Sequence, residues 1–248
     1  GGEDAVRKEY GCVFLSIVFK DDVTQDTIDK TKGDIEALAR QLQVITFDVK
    51  FQDPDITFLE TSVFFQFNPK FTSSSVQEIQ NRVEDTTQNY FANNTGLFDQ
   101  SYRRSNLLAL VDDVDPSVLS SRATLKVQKR YVPFFGRPET ATLRYASPIA
   151  EPNIETHTIT STGFFSNSVK VAIKNKLNSV KLQLVNLDDD TVYVDNVGEY
   201  APSTGIVTLT GLNVDSIIGG NSFIKISAVA ANESFSSPGQ NQIVIYDD

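Results

Sequence analysis

The feature that most constrains this fold is a change of pattern near Pro133. Before it, amphipathic helix-like stretches alternate with strand-like runs, whereas after it the helical stripes disappear and short strand-like runs are separated by turn residues. At 248 residues the chain is also long for one compact core. We therefore predict an α+β domain over residues 1–135 and an all-β domain over residues 136–248.

The first domain begins with a strand and a helix. Residues 12–19 are apolar on nearly both faces, which favours a central strand. Asp22 followed by Gln25 is typical of a helix N-terminus, and the predicted helix continues to about Gln43. Its apolar residues recur on one face, at Ile28, Ile35, Leu38, Ala39 and Leu42.

A predicted hairpin follows. Ile45, Phe47, Val49 and Phe51 alternate with polar residues, which indicates a strand with one buried face. A tight turn over residues 53–55 leads into a longer strand over 56–67, with Val63, Phe65 and Phe67 on one face. Strands joined by so short a turn are expected to pair with each other.

The remaining elements complete the topology of this domain. Ser75 and Glu78 have the spacing of a capping box, and the helix that they begin ends near residues 93–96. A short helix over 106–114 and a strand over 122–132 follow. The order β-α-β-β-α-(α)-β predicts a ferredoxin-like split βαβ sandwich with its helices on one face.

The second half is predicted to be an all-β sandwich or irregular barrel, because its strand-like runs are short and regularly spaced. The predicted strands are 140–145, 154–160, 169–174, 180–187, 191–194, 206–209, 223–229 and 243–246.

Composition excludes several classes of function. The net charge of -10 disfavours nucleic acid, and the basic stretch Lys126, Lys129 and Arg130 is a solvated strand edge more readily than a phosphate-binding patch. No run is long enough to span a membrane, and no secretory signal is present.

Cys12 lies in an apolar run, typical of a buried thiol rather than a reactive one. The absence of any Met indicates a fragment or a processed product, with a missing N-terminal region.

Residues able to do chemistry are few and scattered. Asp112, Asp113 and Asp115 end a predicted helix, and residues 188–190 fit a solvated turn better than a calcium loop. His157 has no second His or Cys pair with which to bind zinc. We predict no catalytic, cofactor-binding or metal-binding residues, no cofactor and no small-molecule substrate, although carboxylates distant in sequence can still converge in space.

The aromatic residues suggest protein contacts instead. Tyr131, Phe134 and Phe135 lie at the predicted domain junction, and Phe164 and Phe165 precede a strand. We name these five as candidate interface residues. The alternative is that they fill the seam between the two domains.

Several short motifs, read in order, resemble one family over nearly the whole chain. They are Tyr10-Gly11-Cys12-Val13, Asp53-Pro54 followed by Phe58-Leu59-Glu60-Thr61, Phe98-Asp99 with Tyr102-Arg103-Arg104-Ser105, Asp115-Pro116-Ser117-Val118, and the closing runs 198–207, 224–229 and 241–243. This order resembles the C-terminal region of the baseplate wedge subunit of T-even-type contractile-tailed bacteriophages, related to the baseplate J family. The segment Pro238-Gly239-Gln240 departs from it, because the family often has a basic residue there.

The resemblance implies a structural role in the virion. Such a subunit forms homodimers that link neighbouring wedges into a ring around the tail hub, contacts other wedge subunits, has no enzymatic activity, and resides in a tail baseplate assembled in the host cytoplasm. The alternative reading is a receptor- or carbohydrate-binding β-module of a phage tail, which requires exposed aromatic residues lining a groove.

Overall fold

The computed structural model describes residues 12–19, 23–42, 48–98, 100–145, 147–232, 234–236 and 242–247. Within them the protein is mixed α+β and consists mostly of strands. The helices are α1 (Gln25–Leu42), α2 (Val76–Asn94) and α3 (Arg104–Asp112), with a short 3-10 helix at Pro69–Phe71. The strands are β1 (Cys12–Leu15), β2 (Asp48–Phe51), β3 (Asp55–Phe67), β4 (Ser101–Arg103), β5 (Val118–Tyr131), β6 (Glu139–Arg144), β7 (Ile159–Ser161), β8 (Phe164–Ser166), β9 (Val169–Asn175), β10 (Lys181–Asn186), β11 (Val192–Ala201), β12 (Ile206–Leu212), β13 (Ser216–Ile217), β14 (Ile224–Val229), β15 (Ser234–Ser236) and β16 (Gln242–Tyr246).

The long strands β3 and β5 form the centre of the first half. They pair antiparallel from Phe58 opposite Gln128 to Phe67 opposite Val118. The other edge of β5 pairs with β14, and the first part of β3 pairs in parallel with β16. Strands from both halves of the chain therefore share one sheet, with the order β16-β3-β5-β14-β7-β9-β10-β11-β12-β6. The division of the chain into two domains, at residue 135, stays a prediction.

The predicted hairpin is wrong. Strand β2 pairs in parallel with β1 in a separate two-stranded sheet, while β3 takes β5 and the C-terminal β16 as its neighbours. The reason is long-range pairing: β16 hydrogen-bonds to the part of β3 that a hairpin partner would need. The ferredoxin-like arrangement is accordingly not confirmed, and the large sheet is open rather than a recognisable sandwich or barrel.

The helix predictions are largely confirmed. Ser75 and Glu78 form the predicted capping box of α2, which buries Ile79, Val83 and Phe91. Helix α1 lies where its stripe predicted, but it buries no side chain completely, because the two short strands beside it are too small to cover it. Leu38 and Leu42 are exposed. The predicted residues Asp22, Gln43, Ile45 and Phe47 lie outside the described part of the chain.

The strand predictions of the second half hold with one clear correction. Residues 154–158 form no strand, and only β7 remains of the predicted run 154–160. The sequence also gave no indication of β4, β8, β13 and β15, which are two or three residues long. Such short strands carry too little alternation to be recognised.

A polar network fixes the end of the chain to the sheet. The Asp247 carboxylate accepts hydrogen bonds from Lys225 Nζ (2.6 Å), Arg130 (2.7 Å) and Gln128 Nε2 (2.8 Å). The Gln128 amide also donates to Glu60. Burial alone would raise the pKa of Asp247, but the hydrogen bonds from Lys225, Gln128 and Arg130 outweigh it and hold that pKa below its ordinary value.

We expect Asp247→Asn to lower the free energy of unfolding by about 1–3 kcal/mol near neutral pH, because two cations lose their counterion. A carboxylate with a depressed pKa stabilises the fold above its unfolded-state pKa, and this contribution disappears as the pH falls through the folded-state pKa. The difference between wild type and variant in urea unfolding should therefore shrink on acidification.

Asp188→Asn is the matched control. Its carboxylate lies 3.9 Å from Lys170 Nζ and its side chain is 70% exposed, so the substitution should change stability by no more than about 0.5 kcal/mol. An equal effect of the two substitutions would contradict the role given to Asp247.

Candidate interaction surface

An exposed apolar loop follows β5. The side chains of Val132, Phe134 and Phe135 are 67%, 62% and 56% exposed, and we call these three residues the apolar knob. The guanidinium of Arg137 lies 4.4 Å from the centre of the Phe134 ring and covers part of it. Three large apolar side chains within four residues are an unusual concentration at a protein surface.

The knob is held in place by the residues around it. The buried Tyr131 hydroxyl donates to Glu139, and the same carboxylate accepts the Phe134 backbone N–H at 3.0 Å. The Gly136 N–H donates to the Val214 carbonyl at 2.9 Å. Burial, together with the hydrogen bond and the charge of Glu139, raises the pKa of Tyr131, so this hydroxyl keeps its proton and remains a donor. A loop fixed in this way loses little conformational entropy when it binds.

The structure connects both groups of candidate interface residues. Phe135 forms an isolated bridge with Val214, and the next residue, Asp215, donates its N–H to the Phe165 carbonyl at 2.8 Å. Phe164 is fully buried and Phe165 is half-buried. Of the five candidates, Phe134 and Phe135 thus offer the most surface, whereas Tyr131 and Phe164 fill the core. Their role at an interface stays a prediction.

The acidic groups lie in ordinary turns and ion pairs. Asp115 accepts the Ser117 N–H at 2.9 Å, and this bond, with others from Ser117, Thr72 and Arg82, lowers the pKa of the Asp115 carboxyl. Asp190 pairs with Lys174 at 2.7 Å. The described residues contain no group of three or more His, Cys, Asp or Glu side chains arranged to hold a metal ion.

The basic stretch and His157 are also engaged within the chain. Lys129 is buried and pairs with Asp55 at 2.5 Å, while Arg130 bonds to Asp247 and lies 3.7 Å from the centre of the Phe58 ring. His157 Nδ1 lies 2.6 Å from the Asn175 carbonyl oxygen. These contacts stabilise the fold, so the basic stretch is not a free strand edge.

Shallow grooves in the described part of the chain include the following pair. One lies between α2 and β16, where Phe91 and Tyr246 stack with ring centres 4.0 Å apart. The other runs beside Phe58, Lys129 and Thr142. Phe91 is buried and Phe58 is covered by Arg130, so neither groove presents the cluster of exposed aromatic side chains that sugar binding requires. No helix in the described ranges has the length and apolar character needed to cross a bilayer.

Two comparisons with known proteins agree with the resemblance. Residues 55–130, which include β3 and most of β5, match the family described as baseplate structural protein gp6, C-terminal domain III. The chain is 23% identical over 148 residues to baseplate wedge protein gp6 of Enterobacteria phage T4. Part of this chain is therefore similar in sequence to phage baseplate wedge proteins.

The extent of this relationship is limited. The aligned part covers 60% of this chain but only 22% of the length of the T4 protein. The similarity supports the prediction of a viral structural protein of the tail-baseplate class. Neither comparison bears on a relation to baseplate J, and the predicted motifs at Tyr10-Gly11, Asp99 and 238–241 lie outside the described residues.

We expect Glu139→Ala to lower the free energy of unfolding by about 1–3 kcal/mol, because the Tyr131 hydroxyl and the Phe134 N–H both lose their acceptor. Thermal or urea unfolding measures this effect. The exposed Glu155 is the control, since its substitution by Ala removes a carboxylate from the surface only. Equal stability of the two variants would show that Glu139 does not hold the knob.

Proposed function

We propose that this chain is a structural component of a phage tail baseplate, a self-associating wedge subunit. Its dimers link neighbouring wedges into a ring around the central hub. The observation that carries the proposal is the match of residues 55–130 to a baseplate wedge domain. The fixed apolar knob supplies a surface suited to the contacts that such a role requires.

Physical chemistry supports association through the knob. Aromatic residues are enriched at the centres of protein interfaces, and burying a Phe side chain contributes about 1.5–3 kcal/mol. Two copies related by a twofold axis present the same patch to each other, so a self-complementary surface closes a dimer. The other wedge subunits are further partners under this proposal, and the site of action is the virion tail.

The proposal assigns no catalysis to this chain. The ionisable groups described above are held in ion pairs and turns, and the two grooves are open. We retain the two-module organisation, 1–135 and 136–248, as part of the proposal, with the β5–β14 pairing as the connection between the modules.

We expect the purified chain to self-associate, and the double substitution Phe134→Asp with Phe135→Asp to weaken the contact made through the knob at least about a hundredfold, because charges would enter an apolar contact. Sedimentation equilibrium over a concentration series gives the dissociation constant. Unchanged circular dichroism and melting temperature would show that the variant still folds.

Phe71→Asp is the matched control, since Phe71 is 59% exposed and lies in the short 3-10 helix. It should leave the dissociation constant within a factor of about three. A chain that stays monomeric at about 200 µM would argue against self-association, and a dimer that is insensitive to both knob substitutions would place the contact elsewhere.

A further inference from the structure

Within the described residues, the second half of β3 has a strand neighbour on one side only. Strand β16 covers β3 from Asp55 to Leu59, and the Asp247 N–H donates to the Leu59 carbonyl at 2.9 Å where that pairing ends. From Thr61 to Phe67 the described strands pair with β3 only on its β5 side. We call residues 61–67 the β3 edge.

The direction of the backbone groups along this edge follows from the strand geometry. Successive residues of a strand point their N–H and C=O groups to opposite sides. Since the Leu59 carbonyl points away from β5 toward β16, the groups of Thr61, Val63 and Phe65 also point outward. The edge therefore offers a row of donors and acceptors for another strand.

The composition of this edge lacks the usual protection against pairing. Edge strands commonly carry charged residues or Pro, which prevent association with another chain. The stretch Thr-Ser-Val-Phe-Phe-Gln-Phe has neither, and three of its seven residues are Phe. Phe64 is 49% exposed, with Arg122 lying 5.0 Å from the centre of its ring.

We propose that the β3 edge pairs antiparallel with the β3 edge of a second copy, about a twofold axis at Phe64. This inference rests on the proposed self-association and gives it a second surface. The chain carries a net charge of -10, so two copies approach most favourably where neither exposes a carboxylate, and residues 61–67 contain no acidic residue, with Arg122 over Phe64 as the nearby charge.

The register follows from the outward groups and from the space available. Centring the pair on Phe64 places Val63 opposite the second copy's Phe65, both with outward groups, and Ser62 opposite Gln66. Thr61 of one copy then lies opposite Phe67 of the second copy. The second copy leaves the sheet at Pro69, which is where β16 of the first copy begins to cover β3. The strand thus fits the open length between Leu59 and the end of β3.

The side chains are also compatible with this register. Val63, Phe65 and Phe67 are half-buried on the inner face, and Ser62, Phe64 and Gln66 are exposed on the outer face. Pairing in this register continues both faces across the twofold axis, so apolar residues lie beside apolar residues. A ring built from dimers requires a second kind of contact in each subunit, and the β3 edge and the knob are separate surfaces that together meet this need.

Cysteine cross-linking in a Cys12→Ser background tests the inference. Phe64→Cys places two thiols directly opposite each other, so mild oxidation should link most of the chains that associate through the β3 edge, with or without the knob substitutions Phe134→Asp and Phe135→Asp. Ser62→Cys alone should not cross-link, because its copies would lie about 13 Å apart along the strands. A mixture of Ser62→Cys and Gln66→Cys chains should cross-link to each other.

Phe71→Cys is the control for random collision, since Phe71 is at least as exposed as Phe64. If the chain dimerises but Phe64→Cys cross-links no faster than Phe71→Cys, this inference is overturned, the β3 edge belongs to another partner, and the proposed function stands. Cross-linking at Phe64 without cross-linking of the mixed pair overturns the register. A chain that sediments only as a monomer overturns both the inference and the proposed self-association.

Discussion

The antiparallel pairing of β3 with β5 is the interaction on which the rest of this structure depends. It supplies the edge that β14 joins on one side and the edge that β16 joins on the other. Helix α3 also packs on β5, where Arg104 donates to the Ala123 carbonyl at 3.2 Å. The match to the baseplate domain, residues 55–130, begins with β3 and ends near the end of β5. A long ladder of this kind is formed from contacts distant in sequence, which makes it a cooperative unit rather than a local motif.

The distribution of charge explains why association should use neutral surfaces. Several basic residues of this acidic chain are engaged in ion pairs: the buried Lys129 pairs with Asp55, and Arg130 and Lys225 bond to Asp247. The surface is left with an excess of carboxylates. The knob and the β3 edge are two of the places where apolar side chains are exposed together, and the charges nearest to them are the cations Arg137 and Arg122, so both are suited to contact with another acidic chain.

The sequence predicted local features well and long-range ones poorly. The capping box at Ser75 and the alternation of Val63, Phe65 and Phe67 depend on near neighbours, and both are found as predicted. The hairpin prediction failed because β16, nearly two hundred residues away, occupies β3. Among the five candidate aromatic residues, Phe134 is exposed while Phe164 is buried. Residue type does not distinguish them, since burial depends on which strand lies opposite.

The central claim is that this protein acts by binding a second copy of itself through defined surfaces. Backbone amide exchange, followed residue by residue by NMR, tests that claim most directly. Dilute and concentrated samples, about 1 µM and about 200 µM, would be compared. We expect concentration to slow exchange at Val63 and Phe65, whose N–H groups point outward, and not at Ser62 and Phe64, which already bond to β5. Exchange along the β3 edge and the knob that is independent of concentration would contradict the account.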